Sequence, residues 1–97
     1  MEVITLSGRL LDDCEPCTDK RGNSYVRFKV SCKNKDYNGK TVYNVYRCCC
    51  YYAGFEDLKK NEKVYIVGDL SLSLRKDQNG ETWLNADVYV RHIDRTQ

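Results

Sequence analysis

Bases, flat rings and thiols are the side chains of this 97-residue chain that could do chemistry, and the first two are interleaved. From Lys20 to Arg47 there are eight bases (Lys20, Arg21, Arg27, Lys29, Lys33, Lys35, Lys40, Arg47) against one acid, Asp36. The net charge of +2 hides this segregation, because Asp12, Asp13, Glu15 and Asp19 form an acidic stretch just before it. A cationic segment of this kind is the electrostatic footprint of a polyanion binder. The chain also carries eight Tyr, two Phe and one Trp. Tyr25, Arg27 and Lys29 alternate in one row, Tyr43, Tyr46, Arg47 and Tyr51 lie in a second segment, and Arg75, Lys76 and Trp83 flank a turn. Bases along a groove neutralise phosphates, and rings stack on unpaired nucleobases for about 1–3 kcal/mol each without regard to sequence. These ten residues are the candidate nucleic-acid contacts.

The other chemistries are weaker. Cys14-Glu15-Pro16-Cys17 has the spacing of half a zinc site, but a full site needs a second well-spaced pair. Cys48, Cys49 and Cys50 are consecutive on a strand, so only the outer two can share a face. Disulfides are not expected in a reducing compartment, and the thiols are read as reduced, some of them small core hydrophobes. His92 is the only histidine. There is no Gly-rich phosphate loop before a helix and no Ser/His/Asp grouping, so neither an enzyme nor a bound metal or cofactor is expected.

The elements that must position these residues read mostly with period two, the strand signal. VITLSGRL (3–10) alternates weakly around Gly8. YVRFKVSC (25–32) puts Val26, Phe28, Val30 and Cys32 on one face and Tyr25, Arg27, Lys29 and Ser31 on the other. TVYNVYRCCCYY (41–52) is a third strand; KVYIVGDLSLSL and TWLNADVYV are the fourth and fifth, joined through Asp77-Gln78-Asn79-Gly80. In the fifth, Leu84, Ala86, Val88 and Val90 form the inward row, which leaves Trp83 on the other face. AGFEDLKKNE, between strands three and four, predicts a short helix with Phe55 and Leu58 inward and Asn61 as a left-handed stop. Five strands of this size avoid open edges by closing, and Gly8 and Gly68 permit the necessary bends. The expectation is therefore a single all-β domain over residues 1–97, a five-stranded Greek-key OB-fold barrel with one short helix between strands three and four.

On strand three, an unpaired buried charge would cost several kcal/mol, by an order-of-magnitude estimate, which favours Arg47, Tyr43 and Tyr51 outward. The opposite face holds Tyr46 and Tyr52.

VYIVGDL followed by a hairpin with DQNG and a strand ending DVYV resembles the bacterial single-stranded DNA-binding protein family (SSB), and ITLSGRL is similar to that family's opening strand. A tail-less relative such as the primosomal OB protein PriB fits the same residues. The resemblance implies an OB-fold that binds single-stranded DNA during replication, recombination or mobile-element DNA metabolism, as a homodimer or homotetramer. It would place Tyr46 and Tyr52 at the family's stacking positions, against the charge argument, which is ranked first. Only IDRTQ follows the last strand, so the acidic tip that recruits partners to cellular SSBs is not expected. The same grip would serve single-stranded RNA, and an OB-fold scaffold binding a protein partner is the alternative. No small-molecule substrate and no membrane partner is expected. The opening MEVITLSGRL lacks a basic leader and a long apolar stretch, so a cytoplasmic location is expected.

Overall fold

The computed structural model describes residues 2–96. Its elements are β1 (Glu2–Leu10), β2 (Glu15–Thr18), β3 (Ser24–Lys35), β4 (Thr41–Cys50), β5 (Lys63–Lys76) and β6 (Thr82–Thr96). The sheet runs β1-β5-β6-β4-β3-β2, and β1 also pairs with β3 at Arg9↔Ser31 and Leu10↔Val30. That second pairing closes β1, β5, β6, β4 and β3 into a barrel and leaves β2 on the outer edge of β3. The closed five-stranded barrel is the one that alternation and edge avoidance predict. The four-residue β2 was not expected: it holds Pro16, which lacks a ladder donor and is tolerated on an edge strand.

Alternation sorts the faces. Val26, Phe28, Val30 and Cys32 of β3 are buried with Leu6, Leu10, Cys48, Cys50, Val64, Ile66, Val88 and Val90. Burying one such apolar side chain is worth about 1.5–3 kcal/mol, so this row fixes the register, since a one-residue slip would turn it to water. β1 can cross β3 closely because Gly8 has no Cβ; one built there would collide with the Ser31 carbonyl and lie 2.9 Å from Val30 Cγ1. At Gly68 a Cβ would meet the Tyr89 carbonyl oxygen at 2.5 Å, and β5 shifts register between Val67 and Gly68. Arg91 is the extra residue of that bulge, since Val67 faces His92 and Gly68 faces Val90.

The predicted short helix is absent; residues 51–62 are turns. The helix gives way because other groups claim its donors. Lys60 N–H donates to Asp13 Oδ1 at 2.8 Å, Asn61 N–H to the Leu10 carbonyl at 2.9 Å, and Lys59 N–H to Glu62 Oε1 at 3.2 Å. Asp57 and Glu62 are drawn to Arg95 instead of to the segment's own lysines. Leu58 is nevertheless fully buried and Phe55 packs on the core, so the segment plugs the barrel as a loop. Asn61 takes the left-handed conformation, φ 70°, that its type suggested.

The three hairpin turns share one design. Asp19, Asp36 and Asp77 each accept two backbone N–H bonds on Oδ1, from the second and fourth residues onward. Gly22, Gly39 and Gly80 then supply positive φ at the fourth position. β5 and β6 stay paired to Lys76↔Thr82, well past the barrel end, where Leu72, Leu74 and Leu84 become exposed. Leu84 thus shares the face of Val88 but lies beyond the core. Among the described residues, no helix is long and apolar enough to cross a membrane.

Candidate nucleic-acid interface

The outward residues of β3, β4 and β6 form one continuous face. Tyr25 on β3 and Tyr51, just after β4, stack with centroids 4.8 Å apart and planes at 23°. Tyr89 on β6 continues the stack at 5.7 Å from Tyr51. The Arg91 guanidinium carbon lies 4.8 Å over the Tyr89 ring and ends the column. Period-two alternation puts all three rings, and Arg91 with them, on the outward face. Tyr51 O–H donates to Asp19 Oδ2 at 3.1 Å. Desolvation by its neighbours, reinforced by that carboxylate, pushes the Tyr51 phenol up to about 12, so the ring stays neutral. Desolvation likewise raises Tyr25.

Arg47 does point outward, as its charge requires, but carboxylates occupy the guanidiniums of this face. Arg47 Nε and Nη2 fork onto Asp87 at 2.8 Å each, Arg27 Nη2 meets Glu15 Oε2 at 2.8 Å, and Arg91 Nε donates to Asp69. Each pair raises its arginine's pKa, the hydrogen bond to the carboxylate being the largest cause. β2 therefore brings part of the acidic stretch against the basic row. Lys29, opposite Arg47 in the β3–β4 register, is exposed.

The remaining candidates lie further out. Tyr43 is 64% exposed and faces Lys33 across the β3–β4 ladder. Trp83 is 56% exposed, opposite Arg75, on the face of the hairpin that also carries Asp87 and Tyr89, whereas Lys76, opposite Thr82, belongs by alternation to the other face with Leu74 and Leu84. Tyr46 is not brought to this face: it is half-buried against the core beside Cys48 and Cys50. Tyr52, its expected partner, lies after the strand and is exposed.

The six cysteines are free thiols. Burial pushes the Cys48 thiol well up and raises that of Cys50, which disfavours the thiolates a metal would need. Among the described residues, no group of three or more His, Cys, Asp or Glu is placed to hold a metal. His92 is exposed and pairs with Asp94 at 2.9 Å.

Sequence reasoning missed Tyr89 and Arg91. The alternation that sets Trp83 outward also sets Tyr89 and Arg91 outward, so both were readable.

Comparison with known proteins agrees with this architecture. Residues 1–96 match the model of the single-strand binding protein family. The crystal structure of a small single-stranded DNA-binding protein from Streptomyces coelicolor superposes with a TM-score of 0.80 at 16% identity, covering 98% of this chain and 94% of that one. No curated protein matches by sequence.

Proposed function

The chain belongs to the single-strand binding protein family and binds single-stranded DNA, and from that premise we propose how its own residues do so. The Tyr25–Tyr51–Tyr89 column is the stacking surface. It carries the reading, because its rings already hold one another in place on an outer strand face, so little rotamer freedom is left to lose on binding. Tyr43 and Trp83 extend the aromatic surface toward the two ends of the face, Lys29 and Arg75 meet phosphates along it, and Lys76 reaches the strand from the other face of the hairpin tip. Stacking on a ring tolerates any base, so binding is sequence-independent and involves no chemistry on the strand.

One OB domain covers about 4–16 nucleotides, so assembly into a homodimer or homotetramer lengthens the path. The support is an open edge: β1 pairs with β5 from Glu2 to Arg9 but meets β3 only at Arg9 and Leu10. Such an edge is a template for a second copy. The alternative, a scaffold for a protein partner, is favoured by one observation, the exposed Leu72, Leu74 and Leu84 on the other face of the hairpin.

A titration of Trp83 fluorescence with oligo(dT) tests the proposal. Quenching that saturates at low salt and weakens steeply as salt rises is expected. An unchanged spectrum with no gel shift would remove it.

A further inference from the structure

Beyond the basic row, β1 and β3 part company. After their short pairing at Arg9↔Ser31 and Leu10↔Val30 the two strands diverge, opening a groove of about 480 Å³. This volume is within the range of about 300–1,000 Å³ typical of sites for small molecules. Arg9, Lys33 and Lys63 line it together with Tyr43 and the Ser7 and Ser31 side chains, and no Asp or Glu does. The neighbouring groove of about 350 Å³ is the reverse: Asp12, Asp13 and Glu15 line it beside Arg27, Lys29 and Arg47.

The difference decides where an incoming phosphate gains most. At Arg27 or Arg47 it must displace a carboxylate, exchanging one anion for another while the displaced acid stays close by. Arg9 donates from Nη1 to the Asn61 carbonyl at 2.9 Å, a neutral acceptor that orients the guanidinium without cancelling its charge. Lys33 makes no ion pair among the described residues. Across the ladder from Lys33 stands the exposed ring of Tyr43. Two uncompensated cations beside one open ring are the complement of a single nucleotide unit.

We infer that this groove is a distinct nucleotide seat, in which Arg9 and Lys33 hold a backbone phosphate and Tyr43 takes the attached base. The inference rests on the single-stranded DNA-binding reading and adds to it a seat at the Tyr43 end of the same outward face, where β1 and β3 diverge.

The test compares the salt dependence of oligo(dT) binding, read by Trp83 fluorescence, for the wild type, Arg9→Gln/Lys33→Gln and Lys20→Gln/Arg21→Gln. The last removes the same charge from the exposed β2–β3 turn. On a single strand, a plot of log K against log salt flattens by about 0.7 in slope for each phosphate the protein no longer neutralises. The groove variant is expected to be shallower by about 0.7, the slope of the one phosphate it no longer holds, and to bind at least roughly tenfold more weakly at low salt, while the turn variant keeps the wild-type slope. Circular dichroism melts confirm that both variants fold. Equal slopes in both variants, whether shallow or steep, overturn the seat and leave single-stranded DNA binding by the wild type intact. A wild type that does not bind oligo(dT) overturns that binding, and the seat with it.

Discussion

Arg47 on β4 grips Asp87 on β6 through two parallel hydrogen bonds of 2.8 Å, across the parallel strand pair that helps close the barrel. The pair is partly exposed, so its contribution to stability is modest, about 0–1 kcal/mol for surface ion pairs. Its larger consequence is electrostatic, because a cation in the middle of the proposed binding face is neutralised by the protein itself.

Asp87→Asn is therefore expected to strengthen binding. The amide still accepts a bond from Arg47 but carries no charge, and one more cation faces the strand. Oligo(dT) affinity should rise several-fold at low salt, and the log–log salt slope should steepen by about 0.7. Fluorescence titration at three salt concentrations checks both, and a weaker complex would show that Asp87 itself contacts the strand.

Tyr51 sits between Tyr25 and Tyr89, so removing it breaks the column in two. Both faces of Tyr51 are covered by its neighbours, so Tyr51→Ala acts by releasing Tyr25 and Tyr89 from the column. With stacking at about 1–3 kcal/mol per base, losing one ordered ring contact should weaken oligo(dT) binding by roughly 5–150-fold. Tyr51→Phe keeps the ring and loses only the bond to Asp19, so it should bind within about threefold of the wild type if stacking is the operative interaction. If Phe binds as poorly as Ala, the hydroxyl rather than the ring is what matters.

The turns show what was legible in the sequence and what was not. Asp77-Gln78-Asn79-Gly80 was readable as a turn because it stands between two clear strands. Asp19-Lys20-Arg21-Gly22 and Asp36-Tyr37-Asn38-Gly39 obey the same rule, an Asp whose carboxylate collects two N–H groups and a Gly three residues on at positive φ. Gly39 has φ 79° with open space around it, so Gly39→Ala tests conformation free of any clash. The left-handed region costs a non-glycine residue about 1–2 kcal/mol, and about 1 kcal/mol lowers Tm by roughly 4–8 °C in a domain of this size. A calorimetric Tm equal to the wild type would show that the turn relaxes at no cost.

For the site, strand alternation sufficed wherever a residue's face decided its role: Tyr25, Arg27, Lys29 and Arg47 all lie where period two puts them. It could not reveal that Glu15, Asp69 and Asp87 would pair with the arginines, because β2, β5 and β6 come beside those side chains only once the barrel closes. The helix expected over AGFEDLKKNE failed for the same reason. Its local charges favour a helix, but Asp13, Leu10 and Arg95, all distant in sequence, offer its groups better partners.

That same segment makes the fold acid-sensitive. Arg95 Nη1 donates to Asp57 Oδ1 at 2.7 Å, and its Nε and Nη2 hold Glu62, tying β6 to the loop that plugs the barrel. The hydrogen bonds from Arg95 hold both carboxyls below their ordinary values of 3.8 for Asp and 4.5 for Glu. A carboxyl whose pKa is lower folded than unfolded stabilises the fold while ionised. Its contribution is complete above the unfolded value and disappears as pH falls through the lower, folded one. Arg95→Gln removes the largest cause of that depression at both carboxyls. The wild-type advantage in Tm over Arg95→Gln should therefore be full at about pH 6 and should shrink progressively as pH falls below the ordinary carboxyl values, toward about pH 3 and lower. Asp19, held down mainly by the Asn23 backbone bond, loses its contribution over the same range in both proteins, so it cancels from the difference. A gap between the two melting curves that stays constant down to about pH 3 would mean that Arg95 stabilises the barrel through the packing of its stem and not through its two carboxylates.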